Sequence, residues 1–285
     1  MKKVIVLIAS LAIIAALAAC QKQEEKVEEV KMNNLTNVEK AVQLIESIGT
    51  TNTEPVAYVN PDKYIQHNLM VADGLEGFGA VLQTLPEGSY AKVVRAFGDG
   101  DFVFLHTEYD FFGPKVGFDI FRFENGLIVE HWDNLAEIAQ PNPSGRTQLD
   151  GETTLTDLDK TEENKQLVKG FIDDVLMGAN PDRITEYIST EEYIQHNTGV
   201  ADGLDGLGQA LQALVEAGMP MIYKQNHRVL GEGNFVLAVS NGTFMNEEVS
   251  FYDLFRIENG RIVEHWDTIE VILPEDQWAN KNGKF

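Results

Sequence analysis

From about residue 34 onward the apolar positions follow two different periods, and the change of period marks the elements. Val38, Val42, Leu44, Ile45 and Ile48 recur at helical spacing, as do Leu167, Val168, Phe171, Ile172, Val175 and Leu176. The second stripe opens on Thr161-Glu162-Glu163-Asn164, a sequence able to cap a helix. Residues 75–85 and 204–215 predict a further helix each, weakened by their glycines. The pattern then turns strand-like. Phe102-Val103-Phe104-Leu105 and Phe235-Val236-Leu237-Ala238 are short apolar runs after Gly-Asp-Gly and Gly-Glu-Gly turns, and residues 118–123 and 127–133 flank Glu124-Asn125-Gly126, a hairpin signal. Helices followed by an antiparallel meander predict an α+β fold.

The same order occurs twice. Tyr64-Ile65-Gln66-His67-Asn68 recurs as Tyr193-Ile194-Gln195-His196-Asn197, and Val71-Ala72-Asp73-Gly74-Leu75 as Val200-Ala201-Asp202-Gly203-Leu204, both 129 residues on. Asp119 to Asp133 aligns with Asp253 to Asp267 at an offset of 134, with 12 of 15 positions identical. One module used twice is the simplest reading. The expected boundaries are 34–138 and 162–273, joined by a linker at 139–161 that contains Pro141-Asn142-Pro143-Ser144-Gly145, and followed by a tail at 274–285. The two copies are expected to pair with each other in place of a homodimer.

Hairpin register decides which side chains share a face. A two-residue Asn125-Gly126 loop would pair Asp119 with Trp132. A three-residue loop with Gly126 in the left-handed position would pair Asp119 with His131, and this second register is expected. It puts Asp119, Phe121, Phe123, Val129, His131 and Asp133 on one face, and in the second copy Asp253, Phe255, Ile257, Val263, His265 and Asp267. Two acids and an imidazole thus stand among apolar neighbours. Trp132 and Trp266, on the opposite face, read as core or interface residues.

Histidines are concentrated in the modules: His67, His131, His196 and His265 at matched positions, His106 in the first copy alone and His227 in the second alone. A shared structural network, with histidines bonded to backbone or to the aspartates, explains such a pattern as well as a reactive site does. A metal site of two histidines and one carboxylate is a further alternative, built from His131-x-Asp133 with His67 or His106.

Composition narrows the partners. The chain has 285 residues with 22 Lys and Arg against 45 Asp and Glu, a net charge of −23, and one cysteine. So acid a protein repels a phosphate backbone, and one cysteine makes neither an internal disulfide nor a cysteine zinc site. Nucleic acid is therefore not an expected partner. Gly98-Asp99-Gly100-Asp101 and Gly231-Glu232-Gly233 read as turns, since they lack the lysine of a phosphate loop.

The N-terminus reads as an address: Lys2 and Lys3, an apolar run over 4–16, then Leu17-Ala18-Ala19-Cys20. The tetrapeptide resembles the lipobox of bacterial lipoproteins. That resemblance implies a signal peptide over 1–19, lipid on Cys20, a polar tether to residue 33, and a membrane-anchored protein of the cell envelope. Gln21 in place of Asp favours the outer membrane if the cell has one.

The Tyr-Ile-Gln-His-Asn segment, together with Asp119-Ile120-Phe121-Arg122-Phe123-Glu124-Asn125-Gly126-Leu127-Ile128-Val129-Glu130-His131-Trp132-Asp133, resembles the SnoaL-like proteins of the nuclear transport factor 2-like superfamily. The resemblance implies two cone-shaped domains, each with helices on a curved antiparallel sheet around an apolar pocket, and cofactor-free acid–base chemistry on a small apolar or carbonyl-containing molecule, of aldol-condensing or isomerase type. It makes Asp133 and Asp267 the bases. Removing a proton next to a carbonyl further needs partners that tune the base and a donor to the enolate oxygen, which assigns His131 and Asp119 as catalytic partners and His67 with Asn68 as donors, and in the second copy His265, Asp253 and His196. Asn68, His106, Phe121, Asn197 and His227 are the expected ligand contacts. The first copy matches the family pattern Gly100-Asp101-Phe102-Val103-Phe104-Leu105-His106, whereas the second has Val239 at the histidine, so activity is expected chiefly of the first. A binding module without turnover is the alternative function.

Overall fold

The computed structural model describes residues 35–285, so Cys20 and the expected signal peptide and tether lie outside the described residues. Within that span the chain forms two α+β modules of the same plan. The first contains α1 (Asn37–Glu46), a 3-10 turn (Glu54–Tyr58), β1 (Ile65–Gln66), α2 (Gly74–Thr84), β2 (Tyr90–Asp99), β3 (Phe102–Asp110), β4 (Pro114–Glu124) and β5 (Leu127–Glu137). The second contains α3 (Thr161–Phe171), which runs into a π turn (Ile172–Leu176), then α4 (Ile184–Tyr187), β6 (Ile194–Gln195), α5 (Gly203–Glu216), β7 (Ile222–Glu232), β8 (Phe235–Phe244), β9 (Glu247–Glu258) and β10 (Arg261–Val271). Thr36 and Glu39 close a capping box on α1, and the apolar stripe of that helix buries Ala41, Leu44 and Ile45 against its sheet.

Each sheet has five strands, in the orders β1-β5-β4-β3-β2 and β6-β10-β9-β8-β7. The short strands carrying the Tyr-Ile-Gln-His-Asn repeats run parallel to the last long strand, Gln66 opposite His131 and Gln195 opposite His265. The long strands β2 and β7, which the periodicity did not separate, complete the meander.

The register differs from the expected one. Glu124 pairs with Leu127, so the loop is the two-residue Asn125-Gly126, with φ of 51° and 79°, a type I′ turn. A bulge one step inward then shifts the pairing, and Asp119 stands opposite Asp133, with Phe121 opposite His131. The second copy repeats both features, Asp253 facing Asp267. Because the loop and the bulge together move the register by two relative to the three-residue reading, Asp119, Phe121, His131 and Asp133 still share a face. Ile128, however, stands opposite Phe123 in the inner cluster where Val129 was expected, as Ile262 replaces Val263 in the second copy.

The outer faces of the two sheets meet in one apolar cluster. Phe97, Phe104, Phe118, Ile120 and Trp132 of the first module interlock with Leu230, Phe235, Leu237, Leu254 and Trp266 of the second. Reciprocal polar contacts frame it: Gly98 N donates to Glu232 Oε2 at 2.8 Å, and Gly231 N to Asp99 Oδ2 at 3.0 Å. Buried Asn134 donates to the carbonyls of Ser250 and Thr268 across the seam. Separately, each module keeps an inner cluster beneath its own helix.

The segments after each module are ordered and cross to the other one. Asn142 donates to the carbonyls of Gln195 and Val200 in the second module, and Asn280 to those of Asn68 and Val71 in the first. Linker and tail are therefore matched straps, Asn142-x-Ser144-Gly145-Arg146 answering Asn280-x-Asn282-Gly283-Lys284.

Candidate functional site

The inward faces of β9 and β10 converge on a cavity of about 660 Å³ in the second module, roofed by α5 and lined by Leu207, Leu214, Met221, Phe255 and Ile269 among apolar residues. Its polar floor is Tyr193, Gln195, Asn197, Tyr223, Asp253, His265 and Asp267. Ala136, Ala139 and Gln148, from the end of β5 and the strap, complete the wall. The size suits a small organic ligand.

Hydrogen bonding differentiates the two carboxylates. Asp253 accepts from His265 Nε2 at 3.0 Å and from the Tyr223 hydroxyl at 3.2 Å. His265 Nδ1 donates to Gln195 Oε1 at 3.0 Å, and the Gln195 amide is oriented by its own donation to the Tyr193 hydroxyl at 2.8 Å. Burial opposes charge on His265, but the bond to Asp253 and the charges of Asp267 and Asp253 outweigh it and raise its pKa above the ordinary value. Asp253 and His265 thus form a buried ion pair. Asp267 has Asn197 as its side-chain partner, at 2.6 Å. Burial raises its pKa and the neighbouring Asp253 adds to the effect, against partial relief from His265 and Asn197.

The first module repeats the set with different support. His131 Nε2 stands 3.3 Å from Asp119 Oδ1 and its Nδ1 3.1 Å from Gln66 Oε1, while Phe121 stacks on the imidazole at 4.5 Å. Tyr109 donates to Asp119 at 2.8 Å, and Asn68 to Asp133 at 2.7 Å. Asp119 is raised by burial. Here the wall changes: Glu270 occupies the position matching Ala136 and pairs with buried Lys284, whose ammonium also donates to the Asp133 carbonyl at 2.7 Å and lies 4.0 Å from Asp133 Oδ1. A charged pair stands where the second module has a methyl group.

Ligand atoms of Asp119, His131 and Asp133, and of Asp253, His265 and Asp267, lie within 4.8 Å of one another, a spacing a divalent cation can use. The expected third ligand, His67 or His106, is not in either group. Both nitrogens of His265 already face acceptors, and a metal would have to break its bond to Asp253, so the set fits an ion pair better than a coordination sphere.

Other expected site residues stand elsewhere. His67 and His196 stack on Trp132 and Trp266, each at 4.6 Å, and point into the straps: His67 Nδ1 donates to Gly283 O and His196 Nδ1 to Thr147 O, while their Nε2 atoms meet Glu130 and Glu264. They fasten straps, because the residue after an inward Gln on a strand must face outward. His106 is buried against Arg95 and Phe118 at the seam, so Val239 at the matching position leaves the second carboxylate set intact. His227 is exposed, bonded to Asn241 and stacked on Phe285. Asn68 and Asn197 do reach the site, but as supports of the aspartates rather than as donors to a ligand. Gln66, Gln195, Tyr109, Tyr193 and Tyr223 were not anticipated. For the glutamines the signal was present, since alternation along Tyr-Ile-Gln-His-Asn points Gln and His to opposite faces.

Residues 168–265 match the family model of the SnoaL-like domain. No curated protein matches the chain. Among solved structures, an LEH-like epoxide hydrolase from M. tuberculosis is 20% identical over 39% of this chain and 85% of its own, with a TM-score of 0.30. An NTF2-like protein of unknown function from Mesorhizobium loti is 21% identical over 41% and 98%, with a TM-score of 0.33. A protein of unknown function with a cystatin-like fold from Xanthomonas campestris is 19% identical over 41% and 98%, also at 0.33. The chain therefore carries a SnoaL-like domain over residues 168–265, and its first module repeats the strand order and the buried aspartate–histidine–aspartate set of that domain.

Proposed function

We propose that the second module is an acid–base site for a small, largely apolar carbonyl compound. The observation that carries this reading is the division of labour between its acids: Asp253 is neutralised by His265, while Asp267 faces the same apolar cavity with a raised pKa and one supporting amide. Asp267 takes a proton from the carbon next to the carbonyl, the C–H electrons move into an enolate, and the carbonyl oxygen gains the charge. Tyr193 is suited to donate to that oxygen. Its hydroxyl accepts from Gln195 and burial holds its pKa above the ordinary value, so its proton remains available. Return of the proton at another carbon gives isomerisation; attack of the enolate on a second carbonyl gives aldol condensation.

The test is exchange of α-protons of 2-decalone in D2O, followed by NMR. Asp267→Asn is expected to slow exchange by about 10²–10⁴-fold and Asp133→Asn to leave most of it. Wild-type rates in Asp267→Asn would exclude Asp267 as the base. Retention of the ketone without exchange would identify a binding module instead.

We also propose that the mature protein is anchored in the cell envelope by lipid on Cys20, on the strength of Leu17-Ala18-Ala19-Cys20 after the apolar run. Intact mass of the membrane fraction should show acylation that Cys20→Ser abolishes.

A further inference from the structure

Two guanidinium–indole pairs bridge the modules at matched positions. Arg95 of β2 lies over the Trp266 ring at 4.3 Å, and Arg228 of β7 over Trp132 at 4.1 Å. In the first pair the donors are supplied by the strap: Arg95 Nε donates to Glu152 O at 2.6 Å, Nη1 to Leu149 O at 3.1 Å, Nη2 to Asp150 O at 2.5 Å, and Trp266 Nε1 to Asp150 O at 2.9 Å. In the second pair Arg228 Nη1 and Trp132 Nε1 are enclosed and have no partner among the described residues. The hydroxyl of Tyr252, wholly buried and under the charges of Asp133 first and Arg228 next, is likewise unpartnered.

The charge environment differs in the same sense. Glu264, Asp150 and Glu152 surround Arg95 with negative charge. The carboxylate near Arg228 is Glu130, which is committed to His67 and Arg122. A guanidinium stacked on an indole, with Nη1 and Nε1 both enclosed and without acceptors, is complementary to a planar anion with two oxygens. Phe285 stacks on His227, the neighbour of Arg228, at 4.0 Å and packs against the cluster that contains Trp132.

We infer that Arg228 and Trp132 form a second ligand site, distinct from the aspartate–histidine–aspartate sets, that takes a carboxylate group, free or carried by an extended peptide segment. The strap at the other module shows the geometry an acceptor adopts there.

The indole N–H signals of Trp132, Trp266 and Trp278 in a ¹⁵N-labelled soluble form with Cys20→Ser give the readout, with Trp132→Phe identifying the first. Sodium acetate and a blocked Leu-Asp-Gly-Glu peptide, the sequence of residues 149–152, are titrated separately against sodium chloride at equal ionic strength. The Trp132 signal is expected to move saturably while Trp266 and Trp278 hold. Movement with acetate identifies a free carboxylate as sufficient, and movement with the peptide alone identifies a segment. Arg228→Met is expected to weaken binding by about tenfold or more. Arg228→Lys, which keeps the charge but loses the planar pair of donors, should weaken it in the same direction and serves if Arg228→Met fails to fold. A Trp132 signal that stays still in both arms, or moves equally with chloride, overturns the inference.

Discussion

At the residue scale, chemistry depends on which neighbour each ionisable group meets. Asp267 and Asp253 are identical side chains on facing strands, yet one is held by an imidazolium and a phenol and the other by a single amide. This difference has a sign in pH. Asp267 ionises above the ordinary carboxylate range and His265 holds its proton above the ordinary imidazole range, so exchange activity should rise through a shifted acidic limb and fall on the alkaline side. Asp267→Asn should abolish the acidic limb and His265→Gln the alkaline one, checked by rate profiles from pH 4 to 10. Both groups bind protons more tightly in the folded than in the unfolded chain. Between the ordinary and raised values the native state holds the extra proton, so their contribution to stability is lost as pH rises through the folded values. Urea unfolding should accordingly show Asp267→Asn less sensitive to pH than the parent.

Elements place these residues through turn chemistry and straps. Asn125-Gly126 and Asn259-Gly260 adopt left-handed φ in both positions of their loops. The Asn-Gly pair between apolar runs marked the place of the turn, but the three-residue loop expected there is a two-residue one, and the bulge beside it was not legible, because no residue type announces the extra backbone unit. Strap formation was legible too, in the Asn-x-Ser-Gly-Arg and Asn-x-Asn-Gly-Lys pair 138 residues apart, but loop composition masks such a signal. Asn142 is buried and satisfies two carbonyls with its amide and two backbone N–H groups with its oxygen. Asn142→Ala and Asn280→Ala should each cost on the order of 1–3 kcal/mol in chemical denaturation, since the carbonyls they leave are enclosed. Leucine at either position should be no better, having no donor to replace.

At the scale of the whole molecule, the two sheets bury against each other the faces that bear Trp132 and Trp266, and the straps cross over them. Such a surface would demand a second copy if a module stood alone. Sedimentation equilibrium of the Cys20→Ser form is therefore expected to give a monomer of about 30 kDa, against 31.8 kDa for the full chain. A stable dimer would mean that the seam is exchanged between chains. The straps also make the modules unequal, because Lys284 and Glu270 close on Asp133 while Ala136 leaves space beside Asp267.

Periodicity, turn pairs and the repeat determined the α+β class, the two modules and the shared face of aspartate, histidine and aspartate, since these follow from local geometry with fixed periods of 3.6 and 2. Which partners each aspartate meets, where His67, His106 and His196 point, and what stands beside Asp133 and Asp267 were decided by the tertiary structure. Those outcomes turn largely on distant groups, such as Thr147 on His196, 49 residues away, Lys284 beside Asp133, 151 away, and Gly283 on His67, 216 away, and no local spacing encodes contacts made when one module's strap lies across the other.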